Sequence, residues 1–553
     1  MDKKGRIIVL TGFFLAIRLV VFSQNEYPKY WITFTDKDNT PYSLESPNEF
    51  LSERSIARRL KQDIELTEED LPVDPQYINA LKNLGIEVIN VSKWFNGAII
   101  SSDDIDLIDS LESYNFIESE PILIKPDLTS KILKSGESEK FKVYETPNYG
   151  YSSNQIEMLH GEFLHRGNYE GQDMLIAILD AGFTNANEIS SLQHIWNGGR
   201  VIATRDFVKD NMDFFGSARH GTTIFSIMGG IIEDTIYGTA TKANYALIRT
   251  EDIRSEYIIE EYNWICGAEF ADSLGADIIN SSLGYSTFDD SLQNHSYSDM
   301  DGETTPVSIG ANVAASKGIV VVCSAGNSGS INWFRIIAPS DATNVIAIGA
   351  VDSKENIAYF SSRGPSYDTR VKPDICAQGV GTLCQSAVGT VSFCGGTSCS
   401  APVISGLSAC LWQANPNASA IQILESVRKS ASQYDNPDSL CGYGIPDFFF
   451  ADRYLKDIKA PPDNNIVSYN LFPNPVNEYL YLEILRPLDA ANETALISYY
   501  NLLGTVVKEE EIEIIGAHCV LDFEDLGKLM TGLYFIKIEF PGGVHTLPFM
   551  KIK

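Results

Sequence analysis

Residues 176–182 read Ile-Ala-Ile-Leu-Asp-Ala-Gly, an apolar run that stops at a carboxylate beside a glycine. Short apolar runs bounded by turn residues are typical of strands buried on both faces of a parallel sheet. Four more such runs follow in order, at 245–248, 278–281, 319–323 and 345–350. Helical segments lie between them, such as 258–274 and 312–317. This alternation predicts a three-layer α/β domain with a parallel sheet over residues 146–455.

Three polar residues stand where such strands end or helices begin. Asp180 closes the first run, where an unpartnered carboxylate would be costly. His220 precedes Gly-Thr-Thr and an apolar stretch that predicts a buried helix. Ser398 follows Gly395 and Gly396 and precedes Pro402, a residue that fits only the first turn of a helix. The Ser398 hydroxyl is therefore expected at a helix N-terminus, which favours a negative oxygen. Each residue alone could instead be an ordinary turn, core or cap residue.

A fourth polar residue follows another apolar run. The stretch Ser-Ala-Gly-Asn-Ser-Gly at 324–329 continues the 319–323 run and delivers Asn327 into a glycine-flanked turn. The side-chain amide of an asparagine can donate a hydrogen bond to a developing oxyanion. The alternative is an ordinary asparagine in a turn.

In chain order, Asp180, His220, Asn327 and Ser398 resemble the pattern of the subtilisin-like serine peptidases. The resemblance implies that Ser398 is the nucleophile, that His220 takes its proton and that Asp180 holds the imidazole. It further implies that Asn327 donates its amide to the oxyanion.

The same resemblance implies a substrate-binding region. The strand edge that pairs with the substrate backbone would be Ser282, Leu283 and Gly284, and the facing wall of the P1 pocket would be Ser324, Ala325 and Gly326. None of these residues carries an acid, so an uncharged P1 side chain is expected, because a buried Lys or Arg would lack a partner. The floor of the pocket, near 333–337, is not assignable from the sequence.

The chain before this domain has two predicted parts. Residues 1–23 resemble a signal peptide, because positive residues precede an apolar run and a small residue. Residues 24–145 follow as a small α/β unit and a linker rich in Lys, Ser and Glu, with predicted strands at 30–34, 88–91 and 97–100 and predicted helices at 46–60, 75–84 and 103–111. This order resembles the propeptide of subtilisin-like proteases, which implies an inhibitor of the chain's own enzyme domain. The alternative is an unrelated N-terminal domain.

A Pro-rich linker at 456–465 precedes the last unit, at 466–553. Runs of strand residues separated by turns predict a β-sandwich there. The Phe-Pro-Asn-Pro start at 472–475 and the Lys-Ile-Lys end at 551–553 resemble the C-terminal sorting domain of type IX secretion substrates. The resemblance implies the type IX secretion machinery as a partner. The alternative is a sandwich appended for binding.

The net charge limits the classes of partner that the protein can bind. The net charge of −31 argues against nucleic acid or anionic membranes as partners.

Cys399 is predicted to be a buried thiol, whereas Cys384 could pair with Cys394, or Cys266 with Cys441. No pair has the close spacing of a zinc site, so neither a metal nor another cofactor is predicted.

One acidic loop leaves open the alternative that the protein binds calcium. Residues 299–304 resemble a fragment of a calcium loop, but the full pattern with its closing Glu is absent. A solvated acidic loop is therefore favoured, with calcium as the alternative.

Two functional hypotheses from different classes fit these patterns. The first is an exported serine endopeptidase that acts on protein or peptide substrates and reaches the cell surface or the medium through the periplasm. The second is a catalytically silent subtilase fold used as a surface binding module. All four expected catalytic positions are filled, which favours the first hypothesis. Reaction with a fluorophosphonate probe would separate the two.

Overall fold

The computed structural model describes residues 27–126, 149–209, 212–456, 468–472, 475–476, 480–485, 493–514, 518–523, 529–540 and 543–552. The predicted signal peptide lies outside these residues, as do nearly all of the two predicted linkers. Within the described residues no helix is both long and apolar enough to cross a membrane.

The N-terminal unit is an antiparallel sheet covered by helices. Its strands are β1 (Lys29–Thr33), β2 (Glu87–Ser92), β3 (Gly97–Ser101) and β4 (Ile122–Lys125), and its helices are α1 (Glu53–Lys61), α2 (Pro75–Asn83) and α3 (Ile105–Ser110). The strand order is β2-β3-β1-β4. Ile32, Leu81, Ile100 and Leu111 form the centre of a separate hydrophobic core. The predicted α/β character of this unit is therefore confirmed.

The helix predicted from residue 46 to 60 is wrong at its start. A short 3-10 turn occupies Pro47–Glu49, and the α-helix begins only after Ser52. The Ser52 hydroxyl accepts the Ser55 N–H, while its own N–H donates to the Ser273 carbonyl of the following domain. This contact with another domain stops the chain from forming one continuous helix.

The central domain is built on a seven-stranded parallel sheet in the order β13-β12-β11-β10-β5-β9-β6. The strands are β5 (Leu175–Asp180), β6 (Val201–Asp206), β7 (Ile231–Ile232), β8 (Ile236–Tyr237), β9 (Asn244–Arg249), β10 (Ile278–Ser281), β11 (Val320–Ser324), β12 (Ile346–Val351), β13 (Ile375–Gln378), β14 (Val380–Gln385) and β15 (Val391–Gly395). The helices are α4 (Ser153–Glu157), α5 (Glu162–Arg166), α6 (Gln193–Asn197), α7 (His220–Gly229), α8 (Ile259–Leu274), α9 (Pro306–Ser316), α10 (Thr397–Ala414), α11 (Ala420–Lys429) and α12 (Phe448–Leu455). Two short antiparallel hairpins, β7-β8 and β14-β15, accompany the sheet.

Alternate side chains of the central strands face opposite helical layers. In β5, Ile176 and Ile178 belong to the core that contains α7 and α10. Leu175, Ala177 and Leu179 belong to the core that contains α8 and α9. Because successive strand residues point to opposite faces, both faces of a sheet covered by helices must be apolar. The predicted three-layer α/β architecture is confirmed.

The C-terminal unit has two antiparallel sheets, β16-β17-β20 and β19-β18-β21-β22. Its strands are β16 (Ser468–Phe472), β17 (Leu480–Leu485), β18 (Glu493–Asn501), β19 (Val506–Ile514), β20 (His518–Phe523), β21 (Gly532–Phe540) and β22 (Gly543–Lys551). Leu482 and Ile484 from one sheet and Ile497, Tyr499 and Ile536 from the other share one buried core. The predicted β-sandwich is confirmed.

Candidate active site

Asp180 and His220 form a direct pair at the carboxyl end of the sheet. Asp180 is the last residue of β5 and is fully buried, and His220 is the first residue of α7. The His220 Nδ1 atom lies 2.9 and 3.0 Å from the two carboxylate oxygens. The Gly221 N–H donates to the Gly182 carbonyl, and a side chain at Gly221 would lie 2.6 Å from that oxygen. Glycine after the histidine therefore lets α7 approach β5 closely enough to form the pair.

The environment of His220 favours the imidazolium form. Burial opposes the charge, but the Asp180 carboxylate, through its charge and its hydrogen bond, outweighs burial and raises the pKa of His220, with a further contribution from Glu251. The side chain is nevertheless 40% exposed, so the Nε2 edge can exchange a proton with a bound molecule. A base that is stabilised once it has taken a proton is suited to general base catalysis.

Ser398 and Asn327 meet around Gly396. Ser398 is the second residue of α10, two positions after Gly396, whose φ is 145°. A Cβ at Gly396 would lie 2.9 Å from the Ser398 Oγ and 3.5 Å from the Asn327 Nδ2. Only glycine therefore leaves open the small space between the hydroxyl and the amide. Such a space, beside a helix N-terminus, can hold a negative oxygen.

The orientation of the Asn327 amide is fixed by its neighbour in the helix. The Asn327 Oδ1 accepts the Thr397 N–H at 2.9 Å and the Thr397 hydroxyl at 3.1 Å. The Thr397 hydroxyl in turn accepts the Gly326 N–H at 3.1 Å. Because the oxygen is engaged twice, the amide nitrogen is the end left to face the Ser398 side.

Strand register brings the acid–base pair and the hydroxyl to one edge. Ser281 pairs with Leu179, so Ser282 lies level with Asp180. The Ser282 hydroxyl donates to the Ser398 carbonyl at 3.0 Å. Among the described residues no hydrogen bond joins the His220 ring to the Ser398 hydroxyl, although α7 packs on α10. Catalytic hydrogen bonds are often long before substrate binds.

The two predicted walls of the P1 pocket face one isoleucine. A Cβ at Gly284 would lie 2.5 Å from Ile337 Cδ1, and a Cβ at Gly326 would lie 2.8 Å from Ile337 Cγ1. The walls also contact each other, since the Ser324 hydroxyl donates to the Leu283 carbonyl at 3.4 Å. The sequence did not identify Ile337, because no local signal distinguishes it from its neighbours. Its side chain makes this region apolar.

The predictions for Cys399 and for the two possible cysteine pairs were wrong. Cys399 is joined to Cys394 by a disulfide, so it is not a free thiol. Cys384 and Cys266 are buried free thiols, and Cys441 is also free. The bridge ties β15 to α10 across the four residues that contain Ser398. The sequence could not reveal it, because the turn between β15 and α10 brings the two sulfurs together.

The acidic loop at 299–304 uses its carboxylate within its own turn. Asp301 accepts the N–H groups of Glu303 and Thr304 and the Thr304 hydroxyl, each at 2.8 Å. Among the described residues no group of three or more His, Cys, Asp or Glu side chains is arranged to hold a metal ion.

These features define a class of three-layer α/β domain with carboxylate, imidazole, hydroxyl and amide groups at one edge of the sheet. Residues 171–444 match the subtilase family, Peptidase S8. Residues 29–140 match the Peptidase S8 propeptide domain of Bacteroidota, and residues 470–549 match the secretion system C-terminal sorting domain. The chain therefore carries a subtilase-family domain between its propeptide domain and a sorting domain, as the sequence predicted. The sorting domain indicates that the protein is secreted or attached to the cell surface.

Characterised relatives resemble the central part of the chain. The thermophilic serine proteinase of Bacillus sp. strain AK1 is 29% identical over 272 residues, which are 49% of this chain and 59% of that protein. Subtilisin E of Bacillus subtilis strain 168 is 26% identical over 284 residues, which are 51% of this chain and 66% of the relative. The chain thus spans less than two thirds of either relative.

Two solved structures match about half of the chain. The prenylagaramide maturation protease PagA is 20% identical with a TM-score of 0.42, and the match covers 53% of this chain and 98% of PagA. MycP1 from Mycobacterium smegmatis is 20% identical with a TM-score of 0.43, and the match covers 57% of this chain and 89% of MycP1.

Proposed function

We propose that the protein is an exported serine endopeptidase that hydrolyses peptide bonds with Asp180, His220 and Ser398. The observation that carries this proposal is the buried Asp180 carboxylate on the His220 ring, at the sheet edge where Ser282 contacts Ser398. Fluorophosphonate labelling of the processed protein, followed by mass spectrometry of the labelled peptide, tests it. Label on Ser398 supports the enzyme, and no label at all favours the silent binding module.

The mechanism follows from what each group can do. His220 accepts the Ser398 proton as the hydroxyl oxygen attacks the substrate carbonyl carbon, and Asp180 stabilises the resulting imidazolium. The Asn327 amide and the Ser398 N–H donate to the tetrahedral oxyanion. His220 then gives the proton to the leaving amine. Water repeats the cycle on the acyl-enzyme and releases the acid.

Asn327→Leu is expected to lower kcat by about two to three orders of magnitude, with KM nearly unchanged, because the lost donor acts mainly on the oxyanion. Steady-state kinetics on a peptide substrate measure this. Asn327→Asp is the matched variant, because its carboxylate can still accept from Thr397 at the position of Oδ1 but has no N–H to donate. Near-normal kcat in the Asp variant would contradict the oxyanion role.

The P1 residue of good substrates is expected to be uncharged. The pocket is lined by small residues and by Ile337, so an isolated Lys or Arg would be buried there without a counter-charge. Sequencing the cleavage products of a mixed peptide library gives the preference. Cleavage mainly after Lys or Arg would contradict this prediction.

Residues 27–126 are proposed to inhibit the domain on which they pack. Trp31 stacks on Tyr262 of α8 with ring centroids 4.5 Å apart. Asp272 of the same helix accepts from Arg59 at 2.8 and 2.9 Å and also binds Arg58 and Lys93. Burial alone would raise the pKa of Asp272, but these cations lower it, so the carboxylate stays ionised.

Asp272→Asn is expected to weaken inhibition by the propeptide about a hundredfold. Removing one partner of a buried ion pair costs about 3–5 kcal/mol, and Asp70, which also binds Arg59, offsets part of this cost. The measurement is the inhibition constant of the separated propeptide on the processed enzyme. Glu355→Gln, an exposed charge change in the same domain, is the control. Equal inhibition of both variants would show that this ion network does not hold the propeptide.

A further inference from the structure

A lysine of the propeptide is buried against a carboxylate of the central domain. Lys125, the last residue of β4, places its Nζ 2.7 Å from the Asp252 Oδ2. Both side chains are only 3% exposed. Arg254 binds the same carboxylate from a more exposed position, at 2.7 and 2.8 Å. A lysine is rarely buried this deeply unless a charged partner receives it.

A second carboxyl group, that of Glu260, contacts the backbone of Asp252. The Asp252 N–H donates to the Glu260 Oε1 at 2.9 Å, and the buried Glu260 Oε2 has no hydrogen-bond donor among the described residues. Burial, with the Glu251 and Glu256 charges, raises the pKa of Glu260, so this carboxyl holds its proton to higher pH than an ordinary glutamate. The charge that a cation meets when Lys125 leaves is therefore that of Asp252, to which Arg254 stays bound.

This pocket adjoins the catalytic groups. The Thr250 N–H donates to the Asp180 carbonyl, two residues before Asp252. The Tyr285 hydroxyl donates to Glu251 at 2.7 Å, and Tyr285 directly follows the predicted substrate strand at 282–284. Residues 250–252 therefore contact both Asp180 and the residue that follows the predicted substrate strand, at the same edge of the sheet.

We propose that Asp252, backed by Glu260, is a substrate subsite for a Lys or Arg side chain, and that Lys125 occupies it in the precursor. The inference rests on the proposed function. Lys125 precedes the linker in which the propeptide is expected to be cut. The subsite therefore takes a residue on the amino-terminal side of the scissile bond, distinct from the apolar P1 pocket. Loss of the propeptide removes Lys125 from the Asp252 carboxylate, which Arg254 continues to bind, and leaves the position of Lys125 open to a substrate side chain.

The test is a positional scan with the processed enzyme. Peptides identical except for Lys, Arg or Gln at one position before the P1 residue are compared by kcat/KM. A basic residue at one of these positions is expected to raise kcat/KM at least about tenfold over Gln, as hydrogen bonds to a charged group do. If no position shows this preference, the proposal is overturned. This result comes from the wild-type enzyme alone.

Two variants locate the effect. Asp252→Asn is expected to reduce the ratio of basic to Gln substrates to about one, because the charge is removed. Glu188→Gln, an exposed acid on the same domain, is expected to keep the ratio. A ratio that survives in Asp252→Asn overturns the assignment to this pocket. Fluorophosphonate labelling is run in parallel: an enzyme that neither labels nor cleaves any peptide refutes the proposed function, whereas cleavage without basic preference refutes the subsite alone.

Discussion

Ser398→Ala is expected to abolish fluorophosphonate labelling and to lower kcat by about six orders of magnitude, the loss found for the nucleophile of subtilisin. The substitution removes one half-buried hydroxyl oxygen at the start of α10, where Gly396 already provides the turn. The fold should therefore persist, and circular dichroism with thermal melting checks this.

Ser400→Ala is the matched control for this experiment. Ser400 lies in the same helical turn, and its hydroxyl donates to the Thr397 carbonyl at 3.0 Å. Its loss should cost no more than about 1 kcal/mol of stability and leave the labelling in place. Activity retained in Ser398→Ala, or lost equally in both variants, would contradict the assignment of the nucleophile.

Asp180→Asn is expected to lower kcat by about four orders of magnitude, because an amide does not hold the imidazole in the required tautomer. It should also change the pH profile. In the wild type the Asp180 charge raises the pKa of His220 above its ordinary 6.5, so the neutral base is lost as the pH falls through that raised value. Without the charge, the acid limb of kcat/KM should move to lower pH.

The raised pKa of His220 also makes the stability of the native state depend on pH. A histidine whose pKa is raised by folding stabilises the native state fully at pH values below its unfolded pKa. This contribution disappears as the pH rises through the folded value. Stability curves of the wild type and Asp180→Asn across that window, beside the kinetic profile, test the pairing. An unchanged acid limb in the variant would contradict it.

Local sequence patterns predicted the architecture because burial on both faces leaves a strong signal. The run that ends at Asp180 is apolar throughout, and the glycines before Ser398 favour a turn into a helix. The placement of Pro402 in the first turn was wrong, because α10 already begins at Thr397 and Pro402 lies inside it. The helix predicted from residue 46 failed for a different reason. Its break depends on Ser52 contacting Ser273, a residue more than two hundred positions away.

The sequence by itself determined the three domains, the parallel sheet and the chemical groups proposed for catalysis, since these follow from periodicity and local turn chemistry. Only the tertiary structure decided which groups meet. It placed the Asp180 carboxylate on His220, Ile337 against both predicted pocket walls, Cys394 against Cys399, and Lys125 on Asp252. The reason is physical: a residue's type and its local conformation are encoded within a few neighbours, whereas contacts between distant residues depend on how whole layers pack.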